Sequence, residues 1–386
     1  LSSPHLWTEF FIDLDYDERC QFIGQSPASF LSLSRSLPLN ITIFGNVKSI
    51  DPQNWTRSRM VADALISSVP RWKKAEVRLP YPADNPELWH VLRCDPTSYA
   101  QLEALEISVQ PDCWSDGMSA GPPPSFDALS ILHAPALRSL LLVNWSFRWH
   151  IPSSWRELRE LWVVEKLDRA ALSALISACT NLSKLTATVS KLETRESPVL
   201  PTEDRVHSTL KTLSLLYKES NPIFLLHIPQ TTALQFLSIA RDAGLHCDLA
   251  EEDIPRCHAS LLYIVQSCSS SLVELTLHYC VFHDIDLIRM LQLLTNLQRL
   301  DIESRSSTLS CNLFRRLTPV PFLESDTRHT PGSVALCPNL VSLKLWVRVE
   351  DLSEADERIE VTTALVSALI ARGISSIHIL SDAWAT

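Results

Sequence analysis

The chain has 386 residues, 46% of them hydrophobic and 20% charged, which is the profile of a folded protein. Its net charge of −10 and pI near 5.7 argue against a nucleic-acid binder, because phosphate contacts need clustered Lys and Arg and the dense run at 251–253 is acidic. No apolar run approaches the roughly 18–20 residues that cross a bilayer, so no membrane association is expected.

In chain order, the opening LSSPHLWTEFFIDL spaces Trp7, Phe10 and Ile12 as a first, capping strand, and residues 1–50 read as an N-terminal capping region. LNITI (39–43) and AEVRL (75–79) are short strands, with SRMVADALISSV (58–69) a helix between them. A fuller pattern then sets in: an apolar residue, two others, an apolar, one other, an apolar. It appears as LEALEI (102–107), LRSLLL (137–142), LRELWV (158–163), LSKLTA (182–187) and LKTLSL (210–215). It continues as LQFLSI (234–239), LVELTL (272–277), LQRLDI (297–302), LVSLKL (340–345) and ISSIHI (374–379).

Helical patterns lie between these strands. ALSALISAC (171–179) places Leu172, Leu175, Ile176 and Cys179 on one face, with Asp168 as a cap. DLIRMLQLL (286–294) repeats the spacing, and VTTALVSALIARG (361–373) stops at Gly373. Extra material sits in a Pro/Gly/Ser loop at 116–125 and in a long insertion at 306–333.

The repeated pattern is the strand signature of a leucine-rich repeat. Its last two apolar positions are two apart, so both point to one side of a strand while the residues between point to the other. More than half of the intervals between copies fall in the usual range of about 20–29 residues. A strand and helix cannot bury their apolar faces alone, so neighbours must stack into one core. The expected fold is α/β: an irregular leucine-rich-repeat solenoid forming a single domain over 1–386, with a curved parallel sheet inside and helices outside. Irregularity follows from the poor polar ladder, since only LVELTLHYC (272–280) supplies the pattern's Asn/Cys position, with Cys280, and Asp242 offers a substitute.

Chemistry is poorly provided for. Glycine numbers only 7, against a usual share of about 7%, which leaves little material for phosphate- or dinucleotide-cradling loops. No Gly-x-Ser-x-Gly, Walker loop, His-Glu-x-x-His or Cys-x-x-Cys occurs. The nearest metal-like group, Cys247, Cys257, His258 and Cys268, matches no standard ligand spacing. No catalytic residue, metal or cofactor is therefore expected. The 10 cysteines are scattered, and Cys179, Cys268 and Cys280 sit in apolar segments as small hydrophobes, which points to reduced thiols and a cytoplasmic or nuclear protein. Four Asn-x-Ser/Thr sites, at Asn40, Asn54, Asn144 and Asn181, read as chance in that compartment.

What remains is a binding surface. The residues alternating with the core leucines face the inside of the curve. The early strands present an apolar stripe of Leu141, Val143, Trp162 and Val164, beside Glu160. The later strands present Phe236, His278, Arg299, Asp301, Glu303, Lys344, Trp346 and His378. An exposed apolar patch with an aromatic anchor suits a protein partner. Two readings of the stripe stand side by side: a contact surface, or core covered by the loop at 111–128 or by an insertion nearby. For the charged strands the alternatives are a partner contact and a solvated face. Trp145, Trp149 and Trp155 read as packing between repeats.

Together the phrases SSPHLW (2–7), APALRSLLL with PSSWRELRELWV (134–142, 152–163), LFRRLTP (313–319) and ALCPNLVSLKL (335–345) resemble the F-box proteins with leucine-rich repeats that abound in mushroom-forming fungi. The resemblance implies the target-binding part of a Skp–cullin–F-box ubiquitin ligase receptor. An F-box just N-terminal to the Ser-x-Pro-x-Leu-Trp segment would hold a Skp-type adaptor, and the repeats would hold a protein target. Because the chain starts at that junction, the F-box itself is expected to be missing from it. A leucine-rich-repeat scaffold with no ubiquitin role is the alternative, and an enzyme borne on the solenoid, with a deep polar pocket, is a third reading.

Overall fold

A computed structural model describes residues 3–13, 27–45, 52–79, 86–109, 129–144, 151–167, 169–189, 209–217, 230–241, 254–278, 280, 284–304, 313, 316–317 and 336–347. The fold is α/β, with parallel strands that succeed one another in chain order. Two compact units are present, Leu1–Leu167 with Ala178–Leu182, and Asp168–Ser177 with Ser183–Thr386.

The first unit carries β1 (Glu9–Asp13), β2 (Leu39–Phe44), β3 (Trp72–Leu79), β4 (Ala104–Val109), β5 (Ser139–Val143) and β6 (Glu160–Leu167). Its helices are α1 (Pro27–Leu33), α2 (Pro52–Ser68) and α3 (Pro86–Val91). Among the described residues, short 3-10 turns lead into β5 and β6, Ser130–His133 and Ser153–Glu157. The second unit carries β7 (Lys184–Val189), β8 (Thr212–Tyr217), β9 (Phe236–Arg241), β10 (Glu274–His278), β11 (Arg299–Ser304) and β12 (Ser342–Val347). With them come α4 (Arg169–Ala178), α5 (Ile254–Cys268) and α6 (Asp284–Leu293).

One local rule recurs along the chain. The leading leucine donates its amide to the carbonyl three residues earlier, as Leu102 does to Tyr99, Leu137 to Ala134, Leu234 to Thr231 and Leu297 to Leu294. The next residue donates to the preceding repeat: Glu103 to Lys73, Arg138 to Glu103, Gln235 to Lys211 and Gln298 to Val273. The strand then starts two residues after the leucine. All three apolar positions of the signature are buried, from Leu102, Leu105 and Ile107 through Leu272, Leu275 and Leu277 to Leu340, Leu343 and Leu345. The alternation is that of a strand with one face on the core.

The expected helices at 171–179 and 286–294 are present as α4 and α6, with Leu172, Leu175, Ile176, Leu287 and Leu291 buried. The helix expected at 58–69 starts earlier, as α2. No sequence expectation covered α5, although Leu261, Ile264, Val265 and Cys268 recur at helical spacing and are buried. In the opening segment Trp7 belongs to a 3-10 turn, Pro4–Trp7, while Phe10 and Ile12 enter β1 and align with Ile41 and Ile43 of β2.

The polar ladder is supplied where the pattern did not place it. Asn144, directly after β5, has φ 59°, a left-handed conformation that asparagine tolerates. Its side-chain amide donates to the Val109 carbonyl at 3.0 Å, the end of the preceding strand. Cys280 is buried with its thiol 3.5 Å from the His278 carbonyl oxygen and 3.9 Å from that of Ile239. Asp168, Asp242, Trp145, Trp149, the loop at 111–128, the helix at 361–373, the strand at 374–379 with His378, and nearly all of 306–333 lie outside the described residues. Trp155 is buried as packing between repeats requires.

Candidate functional site

On the first unit, the side chains that alternate with the core form rows across the strands. Register places Phe11 of β1 opposite Thr42 of β2, Thr42 opposite Glu76 of β3, and Glu76 opposite Glu106 of β4. Glu106 then lies opposite Leu141 of β5, and Leu141 opposite Trp162 of β6. These six residues all line one open concavity of about 640 Å³. Phe11 is 67% exposed and Val164 41%, whereas Leu141, Val143 and Trp162 are half-buried. The apolar stripe read from the sequence thus lies together on the face opposite the core.

The sequence reading did not single out the centre of that face. Glu76 and Glu106 oppose each other directly, an arrangement that is destabilising by itself. Arg78, two residues along β3 and on the same face, places Nη2 2.7 Å from Glu76 Oε1 and 3.2 Å from Glu106 Oε1. One guanidinium therefore serves two carboxylates. The signal was available in AEVRL, where Glu76 and Arg78 alternate with the buried Ala75, Val77 and Leu79.

The second unit presents a different face. Arg299 Nε donates to Glu274 Oε2 at 2.5 Å, and its guanidinium carbon lies 5.8 Å from the centre of the Phe236 ring. His278 Nε2 lies 3.2 Å from Asp301 Oδ1, and Nδ1 4.0 Å from Glu303 Oε2. Lys344 Nζ is 3.8 Å from Asp301 Oδ2. Phe236, His278, Arg299 and Asp301 are thus brought together as a mutually compensated polar field. Trp346 aligns with Glu303 through the backbone of β12, and its side chain lies outside the described residues.

The described members of the cysteine–histidine group, His258 and Cys268, are engaged separately. Cys268 donates its thiol to the Ile264 carbonyl within α5 at 3.3 Å, while His258 Nδ1 lies 2.6 Å from Asp286 Oδ2 of α6. Cys247 and the Cys257 side chain lie outside the described residues. Among the described residues, no group of three His, Cys, Asp or Glu could hold a metal ion. Burial pushes the Cys179 and Cys268 thiols up to about 12, which keeps them protonated and unreactive near neutrality.

No protein-family model matches the chain, and no curated protein matches it. Among the described residues, no helix is long and apolar enough to cross a membrane.

Proposed function

We propose that the chain is a protein-interaction module that acts as the target-recognition part of a Skp–cullin–F-box ubiquitin ligase receptor. The observation that carries the binding half of this reading is the open face of the first unit, where Leu141, Trp162 and the exposed Phe11 line one concavity and the exposed Val164 follows Trp162 by two residues along β6. Apolar side chains on an open face, with an aromatic among them, are what a partner protein buries as an anchor. The ligase half is supported by the family phrases in the sequence. Such a receptor performs no bond chemistry. It raises the effective concentration of a target beside the ligase, and a few buried anchors set the affinity.

Co-expression of the gene's full product with a Skp-type adaptor tests the assignment. Co-purification is the expected result. A product that binds other proteins through the Trp162 face but never the adaptor would replace the receptor reading with that of a scaffold.

A further inference from the structure

We infer that the face of the first unit takes an extended peptide segment with a central Lys or Arg flanked on both sides by large apolar side chains. This rests on the reading of that face as a protein-binding surface, and it names the chemistry of what is bound. The described charged side chains on the face are Glu9, Glu76, Glu106 and Glu160 against Lys74 and Arg78, four carboxylates to two cations. The imbalance is concentrated where Glu76 and Glu106 share Arg78. Each carboxylate offers about four acceptor positions, so both retain capacity for a second cation. An incoming ammonium or guanidinium also relieves the repulsion between two opposed carboxylates.

Sheet geometry sets the spacing. Neighbouring strands lie about 4.8 Å apart, so Trp162 and Phe11 each stand roughly 10 Å from the nearer of the two glutamates along the row. A cation set between the two glutamates is therefore about 12 Å from either end of the row. An extended chain advances about 3.3 Å per residue and turns successive side chains to opposite sides, so it covers that distance in four residues with all three side chains on one side. The segment that fits runs across the strands as apolar, three spacers, cation, three spacers, apolar. Its apolar ends reach Trp162 with Leu141 on one side and Phe11 on the other.

The test uses the full chain and labelled synthetic nonapeptides, Leu-Ser-Ser-Ser-Arg-Ser-Ser-Ser-Leu and the same peptide with Glu at the centre, measured by fluorescence anisotropy at low salt. The Arg peptide should bind at least fivefold tighter than the Glu peptide. The double variant Glu76→Gln/Glu106→Gln should reduce that preference below twofold, and Trp162→Ala or Leu141→Ser should weaken the Arg peptide. Circular dichroism confirms that each variant is folded. Equal binding of the two peptides, still dependent on Trp162, would overturn this inference and leave the binding face standing. Absence of binding, or binding indifferent to both Trp162 and Leu141, would overturn both.

Discussion

The Trp155 indole donates a 2.9 Å hydrogen bond to the carbonyl of Leu132, tying the turn before β6 to the turn before β5 through a side chain. Both residues are buried, so the bond is made away from water. Trp155→Phe keeps most of the ring and removes the donor, and should cost about 1–3 kcal/mol. Trp155→Ala should cost about 3–5 kcal/mol by adding a cavity. Urea unfolding of the two variants measures the difference, and an unchanged stability of Trp155→Phe would show that packing alone matters.

Asn144 does two jobs, one conformational and one through its side chain. Asn144→Gly keeps the left-handed backbone and loses the bond to Val109, for a cost of about 1 kcal/mol. Asn144→Ala loses the bond and also places a Cβ at positive φ, adding about 1 kcal/mol more. Thermal melts of both should rank wild type above Gly and Gly above Ala. The reverse order for the two variants would contradict this account.

Arg78→Ala should destabilise the first unit by about 0.2–1 kcal/mol, because it leaves Glu76 and Glu106 opposed without a counterion. Glu106→Gln in that background should recover most of the loss. The effect should shrink at high salt, since these side chains are partly exposed. A loss that is insensitive to both the second substitution and salt would point to packing of the arginine stem instead.

The buried thiols predict an alkaline limb of stability. Cys179 and Cys268 ionise near 9 when exposed and near 12 when folded. Above pH 9 the unfolded chain therefore holds fewer protons than the folded one, and stability falls as pH rises toward 12. The slope is about 1.4 kcal/mol per pH unit for each thiol. Cys179→Ala/Cys268→Ala should lower stability at pH 7 and flatten the decline above pH 9. Unfolding curves from pH 7 to 10.5 test this, and an unchanged slope would remove the thiols as its cause.

Within a single strand the two faces should respond differently. Leu275→Ala, on the core side of β10, should cost about 2–5 kcal/mol, whereas Thr276→Ala on the other side should stay within about 0.5 kcal/mol. Comparable losses at both positions would mean that β10 is covered on both faces.

The strands were legible because each needs only a local, repeated constraint: three apolar residues at fixed offsets, buried wherever the structure describes them. The linkers were less legible. The helix at α5 carries its apolar positions among Cys257, His258 and Cys268, residues that in the sequence stand out as a metal-like group of no standard spacing and not as a helix face. Asn144 was hidden because its ladder role comes one position before the expected one, and only its φ makes the reach possible. On the candidate face, Leu141 and Trp162 could be placed from periodicity alone. The Glu76–Arg78–Glu106 arrangement could not, because it depends on which residue of β4 stands opposite which residue of β3, and register is a property of the folded sheet.

The amides of Leu102, Leu137, Leu234 and Leu297 each close a turn on their own repeat, and the amide that follows each of them joins the repeat before it. Phase is thereby reset at each of these leucines. A lengthened or shortened linker displaces only itself, because the following strand takes its alignment from its neighbour and not from the number of residues crossed. A chain built this way can gain or lose whole stretches between strands in evolution without disturbing the face beyond them, so its contact residues and its linkers are free to diversify separately.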